Sequence, residues 1–235
     1  YPGKPSWLSP DGARLVRLAS LREDAEDALT ALAAALDAPA EPGLIQPAGI
    51  PSAPDGPLNL MSMGAIVAEL MPADAIVSDE AATAGMALYP MTAGAAPHDW
   101  MTLTGGAIGQ GLPLAVGAAI ACPDRKVLAL QADGSGMYTC QALWTMAREK
   151  LDVTTVIINN GSYAILNIEL SRVGVQNPGP KALSMLSLRD PALDWVSISQ
   201  GMGVSAERAT TAAEFRAALT DAITRKGPRL VEAII

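Results

Sequence analysis

Residues 132–163 read ADGSGMYTCQALWTMAREKLDVTTVIINNGSY, and this stretch decides the fold. An apolar run, Lys126 to Ala132 (KVLALQA), leads into it, and a β-branched run, Val153 to Asn159 (VTTVIIN), lies inside it. Both runs have the length and residue types of buried strands. Between them, Met137 to Lys150 reads as a helix. A strand, a helix and a second strand make a right-handed crossover whose strands run parallel. Asp133 and Gly134 begin a tight turn after the first strand, and Ser135 stands ahead of the helix. Asn160 follows the second strand. Asp133 and Asn160 therefore leave the sheet at the same carboxyl edge, where open α/β sheets bind ligands.

The alternation continues outward in both directions. Asn59 is placed to cap a helix reaching about Leu70. Ala75 to Ser78 reads as a short strand, Ala81 to Met91 as a small-residue helix, and Gln110 to Ala121 as a Gly- and Ala-rich helix. Asp194 to Met202 is a helix. Thr211 to Lys226 is an amphipathic helix ending at Gly227, and Arg229 to Ile235 is a last apolar strand. The pattern predicts an α/β fold with a doubly wound, mainly parallel sheet and helices on both faces. Toward the N-terminus, Pro2, Gly3, Pro5 and Pro10 punctuate a loop. A strand-like run, Arg14 to Ala19, and a helix, Arg22 to Asp37, with an acidic first turn come next. One strand and one helix cannot bury a core. Residues 1–38 thus read as the remnant of a preceding central domain, with Tyr1 rather than Met at the start implying a longer natural product. Pro39, Pro42, Pro47, Pro51, Pro54 and Pro57 make 39–57 a semi-rigid linker. The binding domain is expected over 58–235.

Composition narrows the function. Half of the 235 residues are apolar but only 4% are aromatic, so the core must be Ala, Val, Ile, Leu and Met. Charged residues make up 17%, below the roughly 25% of ordinary domains, which points to surface covered by other domains or subunits. The formal net charge of −8 offers no basic patch for nucleic acid. It also disfavours a bare anionic cofactor, so a phosphorylated ligand needs a metal or a helix N-terminus beside it. The longest apolar stretch, Leu112 to Cys122, is too short to span a bilayer. No signal peptide opens the chain, and Cys122 and Cys140 form no CxxC pair. A cytoplasmic protein with two buried thiols and no membrane partner is expected.

The carboxyl edge carries the chemistry. Magnesium takes about six oxygen ligands and commonly bridges protein to phosphate. One carboxylate, one amide oxygen and one loop carbonyl supply such ligands here, and a helix starting near Gly136 offers N–H donors. An Asp-Gly turn followed at this spacing by Asn-Asn resembles the thiamine-diphosphate signature, with Ala132 in place of its first Gly. From Leu58 onward the chain resembles the acetolactate synthase and benzoylformate decarboxylase branch of the thiamine-diphosphate-dependent 2-oxo acid enzymes. Residues 1–38 more weakly resemble the close of that family's central domain.

The resemblance implies thiamine diphosphate held through Mg2+. Asp133, the Asn160 side chain and the Ser162 carbonyl would be the metal ligands. Gly134, Ser135 and Thr83 (in SDEAATAG) would face the diphosphate, with Tyr163 among the cofactor-binding residues. In GGAIGQGLP, Gly106, Gly109 and Gly111 taken alone suggest a loose dinucleotide loop, without the ribose-binding acid such a site needs. By the resemblance, the Gly106 carbonyl and the Ile108 N–H would meet the aminopyrimidine ring, and the Ile108 side chain would prop the bent cofactor. Ile165 would pack on the thiazolium ring and Leu166 would line the substrate pocket. No catalytic residue is assigned within this chain, because the activating glutamate is expected on another domain across a dimer interface. FAD stays undecided. Glu80 receives no role, His98 is a loop histidine, and Trp144 and Met146 are assigned to the core.

The sequence also departs from individual branches. Leu166 stands where simple pyruvate decarboxylases carry an acid. Ile108 stands where acetolactate synthases have Met, and Ala164 to Ile168 lacks their Met-Val-Arg-Gln-Trp run. The implied function is acetolactate synthase-like decarboxylation or carboligation of a small-molecule 2-oxo acid, in a homodimer or homotetramer. The alternatives are a benzoylformate-type decarboxylase and a non-catalytic cofactor-binding subunit that needs a partner chain.

Overall fold

A computed structural model describes residues 12–235, so the proline-punctuated start of the chain lies outside the described residues. Internal contacts divide the chain between Ile45 and Gln46 into two compact units. In the first, α1 (Ala25–Ala35) is capped by the Asp24 side chain, which accepts from the Glu26 and Asp27 N–H groups. No residue of α1 is buried. Arg14 to Ala19, expected as a strand, forms none, and among the described residues the first unit holds no strand that could pair with it.

In the second unit, apolar and β-branched runs pair into one sheet. Its strands are β1 (Ala75–Glu80), β2 (His98–Thr102), β3 (Val127–Ala132), β4 (Val153–Asn159), β5 (Ser205–Ala209) and β6 (Arg229–Ile234). They lie in the order β2-β1-β3-β4-β6-β5. Every neighbouring pair is parallel. The helices are α2 (Leu60–Leu70), α3 (Gly85–Thr92), α4 (Gly111–Ala121), α5 (Asp133–Gly136), α6 (Ala142–Glu149), α7 (Ala164–Arg172), α8 (Pro180–Met185), α9 (Trp195–Gly201) and α10 (Ala212–Thr224). The expected doubly wound α/β architecture is what the chain forms.

Strand alternation feeds two cores. Leu128 and Leu130 of β3 point to the face packed by Met63, Ile66, Leu88, Phe215 and Leu219. Val127 and Ala129 point to the other, packed by Leu112, Leu143, Met146 and Trp195. Helix ends follow their caps. Asn59 and Ser62 form a reciprocal capping box on α2, and Thr211 and Glu214 form another on α10. Half of the proline-rich segment lies along this unit: the Gly49 N–H donates to the Gly94 carbonyl at 2.9 Å, and the Ala212 N–H to the Gly56 carbonyl at 3.0 Å.

Some elements differ from the sequence reading. His98 opens β2 rather than sitting in a loop, and two helices, α7 and α8, fill the stretch after Asn160. The expected helix from Met137 to Lys150 begins only at Ala142, as α6, because Met137 to Gln141 makes turns and bends, and the short α5 stands where Asp133 and Gly134 were expected to start a tight turn. Met146 is buried as expected, but Trp144 is half exposed. It lies on the solvent side of α6, where the Arg148 guanidinium sits 5.4 Å from its ring centroid. The two cysteines are free and partly exposed rather than buried. Among the described residues, no helix is long and apolar enough to cross a membrane.

Phe215 is the single phenylalanine and is fully buried between α10 and the sheet. Phe215→Ala is expected to cost about 3–5 kcal/mol, measured by chemical denaturation. Thr211→Ala at the solvent-facing cap should cost only about 1 kcal/mol.

Candidate functional site

In the strand order, β1 connects to β2 on one side while β3 lies on its other side, so the chain reverses direction between β1 and β3. A crevice opens at the carboxyl ends of strands at such a point. The cleft found there has a volume of about 480 Å3 including its open mouth. Its walls are Ala82 and Thr83 after β1, Ile108 from the Gly-rich segment, and Ala132, Gly134, Ser135 and Tyr138 after β3. Asn160, Ser162, Tyr163, Ala164, Ile165 and Leu166 after β4 complete it. Ala82 takes a left-handed φ of 51° to carry the chain into this wall, a conformation that costs a side-chain-bearing residue about 1–2 kcal/mol.

Asp133 does not line the cleft but lies buried beneath it, at 1% exposure. Its Oδ1 accepts the Gly134 N–H at 2.9 Å and its Oδ2 accepts the Gly161 N–H at 2.8 Å. Burial pushes its carboxyl above the ordinary aspartate value, and the two N–H donors only partly offset that. The folded chain therefore holds this proton more tightly than the unfolded one. The resulting stability is present at low pH and is lost as pH rises through the raised value.

The Asn160 Oδ1 accepts the Ser162 N–H at 2.9 Å. Ser162 forms an antiparallel bridge with Ser187. The bonds of that bridge run from the Tyr163 N–H to the Leu186 carbonyl and from the Leu188 N–H to the Gly161 carbonyl, both 2.9 Å. In such a pair the bridged residue turns its own N–H and C=O away from the partner strand, so the Ser162 carbonyl is left outside the ladder. An ionised carboxylate oxygen or an amide oxygen has two lone pairs. Asp133 and Asn160 thus keep ligand capacity beyond their N–H partners. One carboxylate, one amide oxygen and one free carbonyl form a set of hard oxygen donors suited to magnesium.

Gly106 is not among the cleft-lining residues. Its carbonyl accepts the Ile108 N–H at 3.0 Å, so the two backbone groups expected to meet the aminopyrimidine ring are bonded to each other. The Ile108 side chain does reach the cleft. His98 pairs with Ala75, the first residue of β1, and so lies at the opposite, amino edge of the sheet. It contacts Ala96 and Trp100 there, away from the cleft.

Sequence reasoning missed the buried polar group joining the two halves of the site. Glu80 is 1% exposed. It accepts from the Gly109 and Gly111 N–H groups and from the Gln131 side-chain amide. That amide also donates to the Ser135 hydroxyl, which in turn donates to the Glu80 carbonyl at 3.1 Å. The available signal was a glutamate closing the apolar run AIVSDE, at the same sheet edge as Asp133.

Comparison with known proteins agrees with this geometry. The family model described as thiamine pyrophosphate enzyme, C-terminal TPP binding domain, matches residues 81–233. The chain belongs to the thiamine pyrophosphate enzyme family. A Mycobacterium tuberculosis protein provisionally named acetolactate synthase large subunit IlvX is 52% identical over all of this chain and 45% of its own length. Benzoylformate decarboxylase of Pseudomonas aeruginosa is 33% identical over 75% of this chain and 32% of its own length. Among solved structures, a thiamine diphosphate-dependent 4-hydroxybenzoylformate decarboxylase of Rhodococcus jostii superposes with a TM-score of 0.76 at 29% identity, covering 88% of this chain and 38% of that one. The chain thus spans less than half the length of these relatives.

Gly134 tests how tightly this family site is packed. A Cβ there would stand 2.6 Å from the Tyr163 ring and 3.3 Å from Leu188. Gly134→Ala is expected to cost about 1–3 kcal/mol through overpacking, read in thermal and chemical denaturation, and to push Tyr163 out of the cleft wall.

Proposed function

We propose that this domain holds thiamine diphosphate through a magnesium ion bound by Asp133, the Asn160 side-chain oxygen and the Ser162 carbonyl. The observation that carries the reading is the convergence of the turn after β3 and the loop after β4 on one cleft at the switch point of a thiamine pyrophosphate enzyme fold. Bound thiamine diphosphate supplies the nucleophilic carbon and the electron sink for loss of carbon dioxide from a 2-oxo acid, and the protein supplies orientation and electrostatics. Thr83, Gly134 and Ser135 face the diphosphate. Ile108, Tyr163 and Ile165 support the organic part of the cofactor, and Leu166 lines the substrate side.

The overall activity proposed is decarboxylation or carboligation of small 2-oxo acids, acetolactate synthase-like. A benzoylformate-type decarboxylase is the second reading, and the apolar Leu166 at the cleft wall favours it. The two are separated by supplying pyruvate and benzoylformate in turn and identifying the products. Tyr138 and Leu166 are exposed at the cleft mouth, which suits closure by a second subunit in a homodimer or homotetramer. The free thiols fit a reducing, cytoplasmic setting.

Among the described residues, no acid with a free carboxylate lines the cleft, and Glu80 is engaged by three donors. The cofactor-activating acid is therefore proposed to come from elsewhere. The 235-residue chain alone should release no steady carbon dioxide from pyruvate or benzoylformate in a coupled assay. Steady release would overturn that proposal.

The central test is titration of thiamine diphosphate with and without Mg2+. Asp133→Ala is expected to weaken Mg2+-dependent binding by more than about 100-fold, beyond the 10- to 100-fold loss typical of groups that only support a metal's ligands. Equal binding by both proteins would refute the assigned site.

A further inference from the structure

The three-residue loop that would carry the metal ligands is a wall between two cavities. Asn160 and Ser162 face the cofactor cleft. On the other side, Asn160 and Gly161 face a second cavity, shared with Arg189, Arg208 and Glu232. A wall one loop thick needs support from the side its ligand does not occupy, and this chain provides it. Residues 186–189 run antiparallel to the loop and bond to it at Gly161 and Tyr163. The Ser162 hydroxyl adds a bond to the Leu186 carbonyl at 3.2 Å. Arg189 then reaches across the top: its Nη2 donates to the Asn160 carbonyl at 2.9 Å.

The same side chain closes over Gly161. A Cβ there would stand 2.9 Å from both Cγ and Nε of Arg189, and φ at Gly161 is +66°. The peptide on which the guanidinium lies is thus bare by necessity. Arg189 holds the carbonyl of the residue whose side-chain oxygen is needed as a ligand. The other flank is fixed by a second arginine acting at one remove. Arg208 donates to Glu232 at 2.8 Å, and Glu232 accepts the Asn159 side-chain amide at 2.8 Å.

We propose that the Leu186–Arg189 strap sets the conformation of the Asn160–Tyr163 loop for its metal ion, with Arg189 as a positioning residue acting from the face opposite the cofactor. This rests on the reading of the cleft given above. Arg189 touches neither the cleft nor the proposed ligand oxygens, so its effect must travel through the Asn160 and Gly161 backbone. A planar guanidinium both bonds and stacks, whereas a lysine ammonium can only bond.

The test compares the unaltered chain with Arg189→Ala, Arg189→Lys and Asp133→Ala. Three quantities are read: the Mg2+ concentration giving half-maximal thiamine diphosphate binding, the melting temperature without cofactor, and hydrogen exchange of residues 160–163 without cofactor. Arg189→Ala is expected to raise the Mg2+ requirement about tenfold, the lower end for groups that orient a metal's ligands. It should also speed exchange at Ser162 and Tyr163 while leaving the melting temperature and the exchange of β3 unchanged. Arg189→Lys should recover part of both losses. An unchanged Mg2+ requirement in Arg189→Ala, with Asp133→Ala defective, would overturn the strap proposal alone. Faster exchange with an unchanged Mg2+ requirement would overturn it too, since the strap would then serve only the fold. No Mg2+-dependent binding by the unaltered chain would bring down the cleft reading and this proposal together.

Discussion

The pairing of β3 with β4 is the constraint on which the rest of the site depends. The two strands are in parallel register from Val127 opposite Val153 to Ala132 opposite Ile158. A slip of one residue would send every side chain of a strand to the wrong face. Here both faces forbid it. Leu130 and Val156 belong to one core, while Val127, Ala129 and Ile157 belong to the other. The apolar packing thereby fixes a polar consequence. The first residue beyond β3 and the first beyond β4 arrive within one residue of the same level, close enough for the Gly161 N–H to reach Asp133 at 2.8 Å.

That edge is built from buried polar groups, which are tolerated only when hydrogen-bonded. Glu80, Gln131, Asp133, Ser135 and Glu232 are all nearly inaccessible to solvent. Glu80 ties the Gly-rich segment to the end of β1, and Gln131 ties Glu80 to Ser135. Glu232 ties the end of β6 to Asn159. The strand ends are therefore linked by side chains as well as by the ladder. Asp133 stands apart within the group. Its donors leave its carboxyl above the ordinary range, because they do not fully compensate its burial. Its two oxygens keep lone pairs beyond those two bonds, and a cation beside it would offset the burial and favour the charged form.

Much of this was legible in the sequence because it is local. The runs KVLALQA and VTTVIIN are long, apolar and uninterrupted, and they became β3 and β4. Asn59 was read as a cap and caps its helix, while Asp194 and Thr211, read as the first residues of their helices, are the caps one position ahead of them. Asp133 and Asn160 could be placed at one edge from the crossover rule alone. Thr83 and Ile108 were reached only through the family resemblance. The edge strands β2 (HDWMT) and β5 (SAERA) were missed because edges carry polar and charged residues that blur the strand pattern. Trp144 was misassigned because an aromatic on an amphipathic helix was taken for core, although its neighbour Arg148 supplies a partner at the surface. The bond between Glu80 and Gln131 crosses 51 positions and the reach from Arg189 to Asn160 crosses 29. No local pattern encodes contacts of that kind.

The Gly-rich segment shows which part of the cleft is already set and which must adjust. Gly105, Gly106 and Gly109 all have positive φ. Between them the Gly106 carbonyl and the Ile108 N–H close a three-residue turn around Ala107, whose φ of −78° and ψ of 84° are close to those of an inverse γ-turn. The ends of the segment are held independently. Glu80 accepts the Gly109 N–H, and the Gln110 side chain accepts the Thr104 N–H at 3.3 Å. A heterocycle that bonds both backbone groups must open the one bond between them and replace it with two. The glycines allow that change without side-chain strain, and the anchored ends confine it to a few residues. The Ile108 side chain, already in the cleft wall, need not travel with it. The Gly-rich segment is thus held at its ends and adjustable in its backbone donors and acceptors, whereas the turn after β3 and the loop after β4 are joined through the buried Asp133.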